Sequence, residues 1–190
     1  MDRRQRIANA GIALIARGGT HRLTHRAVDA EAGLPNGSTS YYARSRRDLI
    51  RLVMEQLSAE SQADLTDIEV PGKLTVRQAT GLVGRLAKRL ILNGDAQAAR
   101  FALMFEVRDD DELRRELTVD APVRSSFDEK AVELLRALGV TDPEETATEF
   151  VALVDAVLMY RAVDAAPIDP AGVVGTYLTG LVRQKPTAAR

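Results

Sequence analysis

The 190-residue chain contains no cysteine and no tryptophan, and it has only two histidines. Without cysteine, disulfides, thiolate metal sites and cysteine nucleophiles are excluded. His21 and His25 lie four residues apart, but no carboxylate or thiol completes a ligand set beside them, so we expect no metal site. Neither a Gly-x-Ser-x-Gly motif nor a phosphate-binding loop with its lysine is present. We therefore expect no enzymatic activity and no cofactor.

Long apolar runs are also missing. No segment approaches the roughly 18–20 apolar residues that cross a bilayer, and residues 1–6 are charged rather than typical of a secretion signal. We expect a cytoplasmic protein that has no membrane partner. The composition, 45% hydrophobic and 28% charged, is that of an ordinary globular protein, and the length allows one domain or two small ones.

Charge is distributed unevenly, although the net charge is only −1. Residues 1–51 carry ten arginines and four acidic residues, a net charge of +6, and the remaining residues carry −7. A basic first quarter indicates contact with a polyanion. The alternative is chance segregation of charges on a solvated surface.

Strand patterns are almost absent, whereas apolar residues recur at helical spacing along the chain. This predicts an all-α fold in which an N-terminal three-helix domain, residues 1–50, is joined by a long helix to a C-terminal helical bundle, residues 51–190. Pro122 is expected to break one helical segment. The predicted helical segments are 3–17, 24–33, 36–43, 45–68, 75–93, 95–108, 111–138, 142–165 and 170–184.

The second and third predicted helices are short, lie in the basic quarter and are joined by the turn 33–35. This is a helix-turn-helix arrangement, in which a short helix enters the major groove and the preceding helix contacts the DNA backbone. Thr24 and His25 lie where the second helix presents free amides to a phosphate. A helical hairpin with no nucleic-acid role is the alternative.

The segments 14–19, 23–24, 32–34 and 37–42 resemble the DNA-binding domain of the TetR family of bacterial transcriptional regulators. The resemblance is close over residues 7–57, and the rest of the chain matches only in helical pattern and length. It implies that the third helix reads the operator and that Arg46, which begins the fourth, holds a phosphate. The residues implied to face DNA are Pro35, Asn36, Gly37, Ser38, Ser40, Tyr41 and Tyr42.

Three positions depart from the usual family pattern. Asp29 replaces a small residue between helices two and three, Thr39 replaces a large apolar residue, and Ala43 replaces an aromatic residue that closes helix three. Tyr41 and Tyr42 cannot both point outward without leaving helix three poorly anchored. We expect one of the two rings to pack partly inward, and the sequence leaves open which.

The last two helices predict a homodimer. The segment 142–165 is apolar almost all round, so it must be buried on more than one side. When two such helices pack against the same two helices of a second copy, they form a four-helix interface, as the family resemblance implies. A protein that reads a palindromic DNA site is also expected to be a dimer. A single monomeric core is the alternative. The predicted interface residues are Phe150, Val154, Val157, Val174, Tyr177, Leu178 and Leu181.

The middle helices predict a pocket for a small apolar or amphipathic effector. Aromatic and methionine side chains at helical spacing supply its walls, although the same pattern is typical of an ordinary core. An inward-facing Arg100 or Arg108 would favour an anionic group on the ligand. The predicted lining residues are Phe101, Met104, Phe105, Arg108, Phe127, Met159 and Tyr160.

These features predict a ligand-responsive transcriptional regulator, most consistent with a repressor, that binds a palindromic double-stranded DNA operator as a homodimer. Ligand would select a spacing of the two recognition helices that no longer fits adjacent major grooves. The alternative is an all-α small-molecule-binding enzyme with no DNA role. DNA affinity that falls steeply with salt separates the first function from the second.

Overall fold

The computed structural model describes residues 2–183, and within them it contains α-helices and one turn of 3-10 helix but no strand, which confirms the predicted all-α fold. The helices are α1 (Arg3–Gly18), α2 (His25–Glu31), α3 (Ser38–Tyr42), α4 (Arg46–Thr66), α5 (Val76–Leu92), α6 (Gly94–Glu106), α7 (Asp111–Leu117), α8 (Pro122–Ala137), α9 (Pro143–Ala162) and α10 (Pro170–Arg183), with the 3-10 turn at Thr20–Arg22. The predicted end of the last helix, residue 184, lies outside the described residues.

Several helices begin at residues whose side chains bond the free backbone N–H groups of the first turn. Before α4, the Asp48 carboxylate accepts a hydrogen bond from the Ser45 N–H (2.9 Å), and the Ser45 hydroxyl accepts one from the Asp48 N–H (3.1 Å). Thr75 and Gln78 form the same reciprocal capping box before α5. Pro122 breaks the segment 111–138, as predicted, because it begins α8, where its missing N–H costs nothing.

The chain forms two compact units: unit 1 comprises residues 2–62 and 93–123, and unit 2 comprises 63–92 and 124–183. This division differs from the predicted boundary at residue 50. The helices α6 and α7 share a core with the N-terminal helices, since Leu103, Val107 and Leu113 are buried in the same cluster as Ile7 and Leu49. The local pattern of a sequence does not report such distant contacts.

In the core of unit 1, α1 meets α4 closely at Gly11. Gly11 is buried, and a Cβ atom at this position would lie 2.5 Å from Cγ2 of Val53 and 3.2 Å from Cδ1 of Leu23. The absence of a side chain at Gly11 therefore permits the contact between the two helices.

The core of unit 2 is formed by α5, α8, α9 and α10. Leu135 and Leu178 are fully buried in it, and the ring of Tyr177 stacks on Phe150 with centroids 6.0 Å apart. The buried apolar side chains of α10 thus face the core of their own unit. No helix within residues 2–183 has the length and apolar character needed to cross a membrane.

Candidate nucleic-acid interface and effector pocket

Two left-handed glycines shape the turn between α2 and α3. The hydroxyl of Thr24 caps α2 by accepting a hydrogen bond from the Ala27 N–H (3.2 Å). Gly33 follows α2 at φ 63°, and Gly37 precedes α3 at φ 91°, a region that favours glycine. The chain therefore leaves α2 and enters the five residues of α3 through backbone conformations that other residues rarely adopt.

Asp29 joins α2 to α3 through its buried carboxylate, which is 1% exposed. One oxygen accepts a hydrogen bond from the Gly37 N–H (2.7 Å), and the other accepts bonds from the N–H and hydroxyl of Thr39 (2.7 and 2.6 Å). Burial alone would raise the pKa of Asp29, but the hydrogen bonds from Thr39 and Gly37 outweigh it and hold this pKa below its ordinary value. The unusual residues at 29 and 39 are therefore partners.

His25 ties the start of α2 to the end of α3. Its Nε2 donates a hydrogen bond of 2.7 Å to the carbonyl oxygen of Ala43, and the ring is half-buried. A carbonyl oxygen only accepts, so the proton lies on Nε2. Sequence reasoning placed His25 beside a phosphate; in the structure it is also a contact between the two helices.

The outer surface of α3 carries an aromatic pair. Tyr41 is 83% exposed and Tyr42 is 37% exposed, and their rings meet edge to face with centroids 5.2 Å apart. Tyr42 is the ring that packs partly inward, and Ala43 after it is buried. The predicted DNA-facing residues of this segment lie on the first turn of α2, the turn or α3. Of these, the exposed ones are Thr24, Pro35, Asn36, Gly37, Ser40, Tyr41 and Tyr42, while Ser38 is half-buried.

Arg46, the predicted phosphate contact, has partners inside unit 1. Its guanidinium donates hydrogen bonds to the carbonyl oxygens of Leu23 (2.7 Å) and Thr20 (3.0 Å) and to the Glu106 carboxylate (2.7 Å). The hydrogen bond from Arg46 lowers the pKa of Glu106. A phosphate at Arg46 would compete with these three acceptors.

Acidic residues around α7 bind two further arginines of α4. Arg47 contacts Asp110 (2.9 Å) and Glu112 (2.7 Å), and Arg51 makes two hydrogen bonds with Glu116 (2.7 and 2.8 Å). The basic and acidic segments of the sequence thus neutralise one another in part. Within residues 2–183, four guanidinium groups of the basic segment form no hydrogen bond or ion pair: those of Arg3, Arg22, Arg26 and Arg44.

An apolar cavity of about 60 Å³ lies inside unit 2. Its walls come from the end of α4 and the segment after it, and from α5, α8 and α9. Lys130 and Asp155 are the charged residues among those that line it. The apolar lining residues are Leu65, Ile68, Val70, Leu82, Val83, Leu86, Phe127, Ala131, Leu134, Phe150, Val151, Val154 and Leu158.

The seven residues that were predicted to line a pocket are divided between the two units. Phe127 lines the cavity of unit 2, whereas Met159 and Tyr160 do not. The other four residues, Phe101, Met104, Phe105 and Arg108, belong to unit 1. There Phe101 is buried under the guanidinium of Arg100, Phe105 is 70% exposed, and Arg108 points to Asp109 at 3.2 Å. Arg108 is exposed, so it does not face inward as recognition of an anionic ligand would require.

The predicted dimer residues form the inner face of α9 and α10. Val174, Leu178, Phe150 and Val157 are buried within the single chain, and Leu178 has no exposed surface. The remaining three, Val154, Tyr177 and Leu181, are half-buried and pack against the same core. The opposite faces of both helices are exposed, and beyond the charged start of α9, which carries Glu144, Glu145 and Glu149, they are rich in small or apolar residues. These outer residues include Ala152, Ala156 and Tyr160 on α9 and Gly172, Thr176 and Gly180 on α10.

The helical C-terminal part of the chain matches a known family model. Residues 74–184, more than half of the chain, match the Tetracyclin repressor-like, C-terminal domain. The chain belongs to the TetR family. This agrees with the resemblance of residues 7–57 to the DNA-binding domain of the same family. A comparison with curated protein sequences gives no significant match.

Solved structures of a TetR-family member and of other proteins share this fold. A TetR-family member from Streptomyces coelicolor A3, SCO1917, is 27% identical with a TM-score of 0.68, over 95% of this chain and 98% of that one. The multidrug binding protein EbrR, complexed with ethidium, is 29% identical with a TM-score of 0.62 over the same shares. A transcriptional regulator from Rhodococcus sp. Rha1 is 14% identical with a TM-score of 0.77, over 95% and 96%, and shows the fold alone.

Two features of this TetR-family chain were missed by sequence reasoning. The bonding of Asp29 to Thr39 had a signal, since both positions depart from the family pattern, but their partnership was not foreseen. The sequence signal for the ion pairs of Arg46, Arg47 and Arg51 was weaker, since it consisted of a run of basic residues and a distant run of acidic residues.

Among residues 2–183, no group of three or more potential ligands is arranged to hold a metal ion.

Proposed function

We propose that this TetR-family regulator is a ligand-responsive repressor that binds a palindromic DNA operator as a homodimer. The observation that carries the proposal is the outer surface of α3, where Tyr41 and its neighbours are exposed beside arginines that have no partner within residues 2–183. Base edges are read by short polar and aromatic side chains on such a helix. An ordinary core helix has no need of this surface.

Arginines around the helix-turn-helix motif supply the phosphate contacts in this proposal. Arg22, Arg26 and Arg44 have guanidinium groups free to neutralise phosphates, and Arg44 directly follows α3 and Ala43. Arg46, at the start of α4, is a further candidate for a phosphate contact. Its three internal hydrogen bonds, to Leu23, Thr20 and Glu106, favour a role in holding parts of unit 1 together. Phosphate contacts position a protein on DNA without reading sequence.

The proposed homodimer uses the outer faces of α9 and α10. Leu178 has no exposed surface and so cannot contact a partner subunit, whereas Val154, Tyr177 and Leu181 of the predicted set keep part of their surface at the edge of the outer faces. On the outer faces, Ala152, Ala156 and Gly180 would allow close approach of helices, and Tyr160 would add apolar area. Two subunits then bind two half-sites together.

The proposed effector site is the apolar cavity of unit 2. At about 60 Å³ it holds only a few water-sized groups, whereas sites for drug-sized ligands occupy roughly 300–1,000 Å³. Effector binding therefore requires the helices around the cavity to move apart, and that movement is the ligand response. EbrR, which is 25–29% identical, was crystallised with proflavin and with ethidium. An apolar or amphipathic effector suits the mainly apolar walls.

Selection of bound duplexes from random DNA tests the operator role. A palindromic consensus with affinity that falls steeply with salt is expected. Asn36→Ala or Tyr41→Ala should then weaken binding to that duplex by about 1–3 kcal/mol for each base that the variant no longer reads. Ser125→Ala, an exposed change on α8, is the matched control. Failure to enrich any sequence, together with salt-independent behaviour, would favour the alternative of an enzyme with no DNA role.

Ethidium and proflavin are suitable probes of the cavity. Their fluorescence should change on binding the full chain, and Ala131→Leu, which fills the cavity from α8, should weaken that binding. Ala137→Leu lies on the same helix but outside the cavity lining, so it should leave dye affinity unchanged. Equal dye affinity of the two variants would place the effector elsewhere.

A further inference from the structure

We propose that α2 holds the recognition helix α3 at both ends through Asp29 and His25, and that Asp29 is a positioning residue for operator reading. Asp29 accepts hydrogen bonds at the N-terminal end of α3, and His25 donates one at its C-terminal end. This α2 clamp, defined as Asp29 and His25, sets the orientation of α3. The inference rests on the proposed DNA-binding function.

The need for a clamp follows from the length and composition of α3. Five residues form barely more than one turn, and so short a helix does not hold its own structure in water. Apolar side chains anchor it only in part, because Tyr42 packs partly inward but stays 37% exposed. Thr39 is the buried residue within α3, and Ala43, which closes it, offers only a methyl group. Polar contacts with α2 must supply what a large apolar residue would otherwise provide.

The two clamp residues have the spacing and the charges that this task requires. Positions 25 and 29 are four residues apart, so their side chains lie on the same face of α2. A carboxylate is favoured at a helix N-terminus, where N–H groups are free, and a donor is favoured at the C-terminus, where carbonyls are free. Asp29 and His25 occupy these two places, at opposite ends of α3.

The anchored groups lie next to the exposed ones. Asp29 fixes the backbone of Gly37 and Thr39, and Asn36, Ser40 and Tyr41, which flank these two residues in sequence, are exposed. A small rotation of α3 about either anchor would therefore move every proposed base contact at once. Phosphate contacts from residues outside α3 would be affected less, since they do not depend on its orientation.

The decisive variant is Asp29→Asn, which keeps the shape of the side chain but replaces one acceptor oxygen by a donor. The matched control is Asp48→Asn, which also removes a carboxylate acceptor from a backbone N–H of unit 1, but at the start of α4 rather than in α3. Operator and random-duplex affinities are measured for both full-length variants at fixed salt. We expect Asp29→Asn to lower the ratio of operator to random-DNA affinity about tenfold or more, and Asp48→Asn to leave it unchanged.

An NMR measurement without DNA tests the anchor itself. The Gly37 and Thr39 amides should both exchange slowly with solvent in the parent. In Asp29→Asn at least one of them should exchange rapidly, because a single acceptor oxygen remains, while Asp48→Asn keeps both protected. At the other end, His25→Gln retains a donor for the Ala43 carbonyl and should preserve more of the affinity ratio than His25→Ala.

Three results would overturn the proposal. Unchanged amide exchange in Asp29→Asn would show that the carboxylate does not hold α3. An equal loss of operator and random-DNA affinity would make Asp29 a contributor to stability alone. A parent chain with no operator preference would remove the proposed function, and the positioning role with it, whatever the amides show.

Discussion

Arg51 and Glu116 form a two-point ion pair between α4 and α7. Nε and Nη2 of Arg51 donate hydrogen bonds to the two carboxylate oxygens of Glu116, at 2.7 and 2.8 Å. The planar guanidinium matches the carboxylate, and the hydrogen bond from Arg51 lowers the pKa of Glu116. This pair attaches α7 to the helix that follows the DNA-binding segment.

Arg51→Lys should destabilise unit 1 although it keeps the charge. A lysine ammonium cannot reproduce the two-point contact, and for a pair that is about one-third exposed we expect a loss of up to about 1 kcal/mol in the free energy of unfolding. Urea denaturation measures it. Arg136→Lys changes a far more exposed arginine, paired with Glu144, and serves as control. Equal losses of unfolding free energy in the two variants would mean that the two-point geometry at Arg51 contributes nothing to stability.

The same pair predicts a dependence of stability on pH. The pKa of Glu116 in the folded chain is lowered, so its contribution is present at neutral pH and is lost as pH falls through that lowered pKa, below the ordinary value of 4.5. The difference in unfolding free energy between the parent and Glu116→Gln should therefore have its largest value at pH 7 and become smaller in strong acid. Urea titrations at several pH values measure it; a constant difference would contradict the pairing.

Much of the architecture was predictable because it is encoded locally. The caps at Thr24, Ser45 and Thr75 precede their helices, and Pro122 begins α8 as a proline in a first turn does. In the helix-turn-helix segment, the turn glycines Gly33 and Gly37 lie directly between α2 and α3. These signals lie within a few residues of the structures they specify.

The remaining features depend on contacts between distant residues. Arg46 meets Glu106 across 60 positions, so no local period indicates that α6 belongs to unit 1. The helix α9 is apolar on nearly every side, and for that reason its sequence did not reveal which face is covered. Structure was needed to show that Phe150 and Val157 face inward while Ala152 and Ala156 face outward.

Gly11→Ala should destabilise unit 1, whereas the same change at Gly81 should not. A Cβ atom at Gly11 would lie 2.5 Å from Cγ2 of Val53, and the required separation of α1 and α4 should cost about 1–3 kcal/mol. At Gly81 in α5, the nearest atom is the flexible end of Arg85 at 3.6 Å, so alanine should stabilise by roughly 0.5–1 kcal/mol. Thermal unfolding compares them, and a shift of the same sign in both would refute the close approach of α1 and α4.

The inner and outer faces of the final two helices should respond differently to an added charge. Leu178→Glu places a carboxylate in the core of unit 2, where that side chain has no exposed surface, so it should abolish folding of the unit rather than only association. Ala156→Glu places the same charge on the exposed outer face of α9, where a twofold interface would bring two such charges together.

Ala156→Glu should therefore sediment as a monomer while its circular dichroism retains the helical signal of the parent. Loss of the second half-site should reduce operator affinity toward that for random DNA, since each subunit then binds alone. Ser125→Glu adds an equal charge to an exposed position of α8 and should leave both mass and affinity unchanged. If Ala156→Glu sediments at the mass of the parent dimer, the outer face of α9 is not the interface. If the parent itself sediments as a monomer, the homodimer is excluded, and a single chain must account for any operator preference.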